Sequence, residues 1–511
     1  MHNPQFVIGI DIGTSSTKSV LFDTQGRAIQ KHLVEYPLYS PVPLAAEQDP
    51  NEVLQAVLKT VKQVIEASQI SPSQILCLTF SAAMHSLIAI DAQGQLLTNS
   101  LTWADARSGM ILRELQQLPK IHELYDRTGT ILHSMAPLVK LVWLRKTEPD
   151  IFKAATKFIS IKEYIFYQLF HRFVVDYAIA SATGLLNLET FTWDTEALTL
   201  AEIRLTQLSE LVPPTCVLQP MRPEMADAMG LRRDIPVVVG ASDGALSNLG
   251  LGAIHPGSVA MTIGTSGAVR TIVHQPVTDP QRRLFCYAFT EQHWLVGGAS
   301  NNGGIVLRWL RDQLAIADRY EALLALAETV PPGAAGLLFH PYILGERSPL
   351  WTSEARGSFF GLTINHTKAH LVRAVLEGML FNLLLSLQAL QSLTGQIDQI
   401  RASGGLLVSS LCRQMMADIF DREIIVPAQP ESSCLGAAVL GLYAFQMLDS
   451  LESSSQLIQQ TCSHQPLPQN VALYQRLMPL YQQILEQSLE HYHAIAQLQI
   501  ELNHHYKTNH N

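Results

Sequence analysis

An α/β chain of two large domains is predicted by three observations. The stretch Val7 to Lys18, VIGIDIGTSSTK, returns as Val259 to Arg270, VAMTIGTSGAVR, half the protein away. A length of 511 residues exceeds what one hydrophobic core serves. Between and beyond the repeats, β-rich runs alternate with amphipathic stretches. Each repeat is a β-run broken by Gly-Thr-Ser and then resumed, the pattern of a hairpin. Its tip offers backbone N–H groups and small hydroxyls, and glycine lets the backbone come close to a phosphate. For either copy alone, an ordinary hairpin turn is the alternative. The copies differ where Asp11 stands opposite Thr262, so one tip alone brings a carboxylate, enough for a single Mg²⁺ accompanying phosphates.

The elements follow in order. Residues 6–22 read as the first hairpin, and 50–68 as an amphipathic helix started by Asp49 and Pro50. Residues 75–81 read as a buried strand ending in a loop at Ala82 to His85. Helices follow at 137–146 and 161–170. After a proline-rich stretch (Pro213, Pro214, Pro220, Pro223), the β-run 236–240 leads into Ala241-Ser242-Asp243-Gly244. The second half begins with the repeat hairpin near Gly257. It continues with a strand at 336–341, a long helix at 367–393, a strand and glycine turn at 400–405, and a helix from Cys434 to about Leu448. Domains are therefore expected at 1–249 and 250–497, with a frayed polar tail at 498–511 whose His504-His505 pair has metal binding as its alternative.

Composition sets the class of partner. With 47% hydrophobic and 15% charged residues the chain has ample material for cores, and a net charge of −9 argues against a general nucleic-acid or anionic-membrane surface. Six cysteines at 77, 216, 286, 412, 434 and 462 form no C-x-x-C pair, so they read as reduced and mostly buried. The weakly polar runs at 379–390 and 435–445 are shorter than the ~20 residues of a membrane span, and they read as core helices. Met1 to Pro4 lead straight into the first strand with no signal-peptide pattern, so the expected compartment is the cytoplasm.

Eleven phrases, in order and spacing, resemble the FGGY family of carbohydrate kinases. They are IGIDIGTSSTK, FSAAMHSL (80–87), LTWADARS (101–108), MAPLVKLVWL (135–144), GASDGALSNLG (240–250), TIGTSGAVR (262–270), NNGGIVLRWLRD (301–312), GERSPLW (345–351), ASGG (402–405), RQMMADIF (413–420) and ESSCLGAAVLG (431–441). The resemblance implies two ribonuclease-H/actin-like domains around a central cleft, the sugar held mainly by the first and ATP mainly by the second. Within the family the phrases are most similar to the gluconate-phosphorylating members. That implies MgATP-dependent phosphorylation of a sugar acid, D-gluconate, at C6; another polyol or a ketopentose such as xylulose is the alternative. No nucleic-acid or membrane partner is implied, and self-association as a homodimer stays open.

The resemblance also assigns residues. Asp243 would be the general base that takes the sugar hydroxyl's proton; the alternative is a helix N-cap, a role Ser242 can fill. Asp11 would hold Mg²⁺ through waters, and Gly13, Thr14, Ser15, Thr17 and Lys18 would form the first phosphate loop, unless Thr17 and Lys18 only continue the hairpin. The sugar site would comprise Met84, His85, Trp103, Asp105 and Arg107, with hydroxyls read by His85 and Asp105 and an apolar face supplied by Trp103. Arg107 would pair with the substrate carboxylate, or else with Asp105 or a neighbouring helix. Lys140 and Lys162 are further candidates, with solvated surface charges as the alternative. ATP would contact Gly264, Thr265, Ser266, Gly304, Gly404, Gly405 and Ser409. The segment Leu406 to Cys412 lacks the basic residue and the aromatic that similar kinases carry there, which implies a smaller, more apolar adenine wall.

Three other classes fit the same residues less well. An actin-like ATPase would share both hairpins but has no use for the MHSL and TWADARS phrases. A sugar-sensing pseudokinase predicts a lost base, whereas Asp243 is present. A dinucleotide oxidoreductase requires a G-x-G-x-x-G after the first strand, and none is there.

Overall fold

The computed structural model describes residues 5–428, 431–458 and 460–508. The chain forms two compact units. The first holds Met1–Pro256 and takes back two later segments, Ile272–Val296 and Glu431–Gln459; the second holds Gly257–Thr271, Gly297–Pro430 and Gln460–Asn511.

In the first unit, β1 (Phe6–Ile12) and β2 (Ser16–Asp23) form the antiparallel hairpin, and β3 (Ala28–Glu35) extends it. β3 alternates exposed and half-buried residues, as a sheet edge with one wet face requires. Helix α1 (Pro50–Ser68) is capped by Asp49, whose carboxylate accepts from the Asn51 N–H, and buries a stripe that includes Val53, Val57, Val61 and Val64. β4 (Ile75–Ala82) pairs parallel with β1 on one side and with β6 (Val237–Ser242) on the other. β5 (Val217–Leu218) closes the edge, giving the sheet order β5-β6-β4-β1-β2-β3. Helices α2 (Ile161–Phe170) and α3 (Asp243–Gly250) belong to the same unit.

The second unit repeats the scheme. β7 (Ser258–Ile263) and β8 (Gly267–Val273) form the hairpin, β9 (Gln399–Ser403) pairs parallel with β7, and β10 (Glu423–Pro427) parallel with β9. β11 (Gln460–His464) is antiparallel at the edge. Helices α4 (Gly304–Asp312), α5 (Tyr320–Glu328), α6 (Lys368–Thr394), α7 (Ser410–Phe420) and α8 (Pro468–Thr508) complete it. α6 is long and apolar enough by composition to cross a membrane, but 78% of its apolar window is buried inside the protein, as in a core helix.

Two expectations change at the C-terminal end. The helix expected to run to about Leu448 is Ser432–Ala444, and Phe445 caps it. The stretch from 498, expected to be frayed, continues α8 to Thr508; residues 509–511 and the side chains of His504 and His505 lie outside the described residues. All six cysteines are thiols, four of them buried.

The helix Ser432–Ala444 lies backbone to backbone against α3, which returns it to the first unit. A Cβ on Gly436 would stand 1.8 Å from the Leu246 carbonyl oxygen, a distance that no side chain tolerates. Gly436→Ala should therefore push the two helices apart and destabilise the fold by ~1–3 kcal/mol or more, read as a lowered urea midpoint; an unchanged midpoint would show that the helices separate without cost.

Candidate active site

Parallel register brings the first unit's candidate residues to one edge. Asp11 on β1 stands opposite Ser81 on β4, and Ala241 on β6 stands opposite the same Ser81. Asp11 and the Ser242-Asp243 turn thus flank the C-terminal end of β4 at two strand spacings, each about 4.8 Å. The C-terminal edge of parallel strands is where open α/β sheets place ligands. At Gly240 (φ +73°) the β4–β6 ladder shifts register, and a Cβ there would lie 1.8 Å from the Phe80 carbonyl oxygen. The bulge re-aims the residues that follow it. Ser242, rather than Asp243, is the N-cap of α3, its hydroxyl accepting from the Ala245 N–H. Asp243 is half-buried at the first helical position, where its Oδ1 accepts the Gly244 N–H at 2.7 Å.

The hairpin tip is held from behind. The Gly13 carbonyl accepts from Tyr36 Oη (2.7 Å) and Gln48 Nε2 (3.1 Å), and the Thr14 carbonyl accepts from Gln48 Nε2 (2.9 Å). Asp11 accepts from the Ser81 hydroxyl at 2.7 Å. Burial pushes its carboxyl up, against the pull of Ser81 and Lys18. A half-buried carboxylate beside a small hydroxyl fits an Mg²⁺ ion that keeps most of its waters. Thr17 faces the interior and contacts the Tyr36 hydroxyl, as the hairpin alternative expects. Lys18 is bound to Glu431, and burial, which would lower its pKa, is outweighed by that carboxylate.

One of the sugar-side residues reaches the same hairpin. Trp103 Nε1 donates to Thr14 Oγ1 at 2.8 Å, so its indole is anchored to the tip. His85 has a left-handed backbone (φ +69°), a strained conformation for a side chain of its size. Its Nδ1 lies 2.7 Å from the Ala182 carbonyl oxygen. A carbonyl only accepts, so Nδ1 carries a proton. Met84 is half-buried in the same loop. Asp105, 1% exposed, accepts from the Ala46 N–H and from Arg107 Nε and Nη2; Nη2 also reaches Glu47 Oε1 at 2.6 Å. The guanidinium lies 5.0 Å from the centre of the Trp143 ring. Arg107 therefore takes the ion-pair alternative through Nε and Nη2, and Nη1 stays outside that cluster.

Neither further lysine is a surface charge. Lys140 is fully buried and donates to three carbonyls: His85 (2.7 Å), Leu101 (3.3 Å) and Thr102 (2.6 Å). One ammonium thereby staples the MHSL loop to the strand leading into TWADARS. Burial lowers its pKa to about 7, with Asp105 opposing and Arg107 adding to the fall. Lys162, equally buried, pairs with Asp176 at 2.8 Å and donates to the Ala241 carbonyl at 3.3 Å, two residues before Asp243.

In the second unit, a cavity of about 620 Å³ is lined by Gly264, Thr265, Gly304, Gly405 and Ser409 from the expected set, within the range of small-molecule sites. Ser266 and Gly404 do not line it; Ser266 packs behind the tip and Gly404 sits under β7, where a Cβ would meet the Ile263 carbonyl at 2.1 Å. Leu406, Val408 and Leu411 form the apolar wall, while Cys412 is buried behind it in α7. Ser409 also caps α7. The cavity also takes Leu307 and Arg308 of α4, within the phrase NNGGIVLRWLRD, and Tyr320 and Leu324 of α5, which no motif marked.

The Gly264 and Thr265 carbonyls accept the Gly304 and Ile305 N–H groups (2.8 and 3.1 Å), so the start of α4 braces this tip. Glu346, 1% exposed, holds the loop before α4. It accepts from Ser300 Oγ, the Asn301 N–H, Asn302 Nδ2 and Asn382 Nδ2. Burial pushes its carboxyl up and these donors pull it down. Sequence reasoning also missed Glu47, Gln48, Tyr36 and Glu431, which serve the site only through partners distant in the chain.

Residues 6–250 match the N-terminal domain, and 259–445 the C-terminal domain, of the FGGY family of carbohydrate kinases. The chain belongs to that family. It is 48% identical to a gluconokinase of Bacillus subtilis (strain 168), over 93% of this chain and 94% of the relative. Among solved structures, it is similar to a gluconate kinase from Lactobacillus acidophilus (TM-score 0.91, 39% identity, 95% and 98% covered). A ligand-bound xylulose kinase from the same organism is also similar (TM-score 0.93, 38% identity, 96% and 100% covered).

Lys140 yields a test of the staple. Its folded pKa of about 7 lies below the ordinary 10.5, so over that interval the unfolded chain binds more protons. This residue's contribution to stability should accordingly rise with pH from about 7 to 10.5. The difference in unfolding free energy between the native chain and Lys140→Met, measured by urea titration across that range, should grow more favourable to the native chain; a flat difference would mean that the lysine stays charged in the fold.

Proposed function

We propose that this carbohydrate kinase phosphorylates D-gluconate at C6 with MgATP, giving 6-phospho-D-gluconate and ADP, in the cytoplasm. The observation that carries the substrate is the 48% identity to a gluconokinase along nearly the whole length of both chains. Asp243, at the re-aimed end of β6, is the general base. As the C6 oxygen attacks the γ-phosphorus, Asp243 takes the hydroxyl proton, the new O–P bond forms, and the bond to the bridging oxygen of ADP breaks. Lys162, through the Ala241 carbonyl, steadies the strand end that presents it.

His85, Trp103 and Asp105 orient the polyol, and Trp103 covers C–H bonds. Asp105 acts mainly by fixing Arg107, whose Nη1 meets the substrate carboxylate. ATP occupies the cavity of the second unit, with Gly264 and Thr265 at its phosphates and the apolar wall of Leu406, Val408 and Leu411 at its adenine. Gly13, Thr14 and Ser15 are the first unit's anion-binding tip, and Asp11 is the residue that would hold Mg²⁺. When bound, the ion neutralises charge on the phosphates. A second reading, xylulose or another neutral polyol as substrate, is favoured by the similarity to the xylulose kinase.

Asp243→Asn should lower kcat ~10²–10⁴-fold while nucleotide binding stays nearly intact; near-normal turnover of the purified variant would leave the carboxylate a purely structural part. For the substrate, gluconate should have a higher kcat/KM than xylulose, and the reverse order would hand the site to the second reading. Arg107→Ala should cost ~2–5 kcal/mol in kcat/KM for gluconate and much less for an uncharged polyol. Equal losses on both would mean that Arg107 serves only its ion pairs with Asp105 and Glu47.

A further inference from the structure

Away from these residues, three metal-ligating side chains of the first unit converge. His274 follows β8, His293 opens the strand His293–Ser300, and Glu452 opens the short helix Glu452–Leu457. One ligand atom from each lies within 4.8 Å of the others. His274 is exposed, His293 buried and Glu452 half-buried, so the trio sits at the surface with one firmly held ring.

Two details point to a cation. His293 Nδ1 is 2.7 Å from Thr290 Oγ1, the outer-sphere contact that fixes a ligating imidazole's orientation. Its Nε2 lies 2.9 Å from Glu452 Oε1, so two of the three ligand atoms already face each other.

We propose that His274, His293 and Glu452 form a binding site for a divalent transition-metal ion of the Zn²⁺ type. Two imidazoles and one carboxylate suit Zn²⁺, whereas Mg²⁺ and Ca²⁺ prefer all-oxygen shells. Bonds of about 2.0–2.2 Å place tetrahedral ligand atoms roughly 3.3 Å apart, so closure from at most 4.8 Å asks for a shift of up to about 1.5 Å, which the exposed His274 side chain can make. Water completes the fourth position. The three ligands come from Ile272–Val296 and Glu431–Gln459, the two segments that the first unit takes back. The ion would clamp these segments to each other, a stabilising role separate from phosphoryl transfer.

Zn²⁺ titration of the chelator-treated full chain, followed by calorimetry and by thermal unfolding, tests the site. One equivalent should bind and raise Tm by mass action. His274→Ala, at an exposed position that the fold does not need, and Glu452→Gln should each weaken binding at least ~10-fold and abolish the Tm rise. A His504→Ala/His505→Ala variant should bind as the native chain does. The proposal is overturned if no stoichiometric Zn²⁺ binds, if His274→Ala binds as tightly as the native chain, or if binding is lost only in the His504/His505 variant; the trio is then a His–Glu ion pair with a neighbouring imidazole.

Discussion

Backbone hydrogen bonds between parallel strands govern everything the first unit does. A parallel ladder sets the residues of neighbouring strands in rows, and here one row contains Asp11, Ser81 and Ala241. A one-residue slip of β4 would turn Ser81 away from Asp11 and carry Asp243 out of line, because side chains alternate faces along a strand. The second unit carries the same row with different chemistry. Thr262 stands opposite Ser403, whose hydroxyl approaches Thr262 Oγ1 at 3.4 Å, in the relation that Ser81 has to Asp11. The frame was duplicated and the carboxylate was kept in one copy.

Around that frame, buried charge is used to hold loops in place. A buried ion is costly unless its hydrogen-bonding capacity is met. Lys140 meets it with three carbonyls, Lys162 with Asp176 and a carbonyl, and Arg107 with two carboxylates. Each of these ions touches the segment that carries a candidate site residue. The arrangement converts flexible surface loops into fixed ones, which is what a site that must orient a polyol and exclude water needs. Glu346 performs the same task in the second unit with the opposite sign, gathering donors from Ser300, Asn301, Asn302 and Asn382.

The cavity of the second unit separates two kinds of recognition. Its glycine-rich side, Gly264, Gly304 and Gly405, offers backbone without side chains, the surface that phosphates favour. Its other side is Leu406, Val408 and Leu411, with Val408 87% exposed.

From sequence alone, what could be read was local: the two hairpins, the strand ends at Ser81 and Asp243, the helix starts at Asp49 and Ser242, and the phrases that identify the family. These depend on neighbours within a few residues, through glycine turns, alternation and capping, so the chain carries them in plain order. Only the tertiary structure decided the partners of the charged residues. Arg107 was legible as a cation beside Asp105, but its second carboxylate, Glu47, lies sixty residues away. For Lys140 and Lys162, solvated surface charge stood as the alternative to a place in the sugar site, because burial of a lysine leaves no pattern in the chain; it requires carbonyls and carboxylates that only folding brings near. The same holds for Glu431, which reaches Lys18 across 413 residues, and for the α5 residues of the cavity. Periodicity and capping report on contacts along the chain, whereas desolvation and ion pairing act through space, and the folded arrangement alone sets those distances.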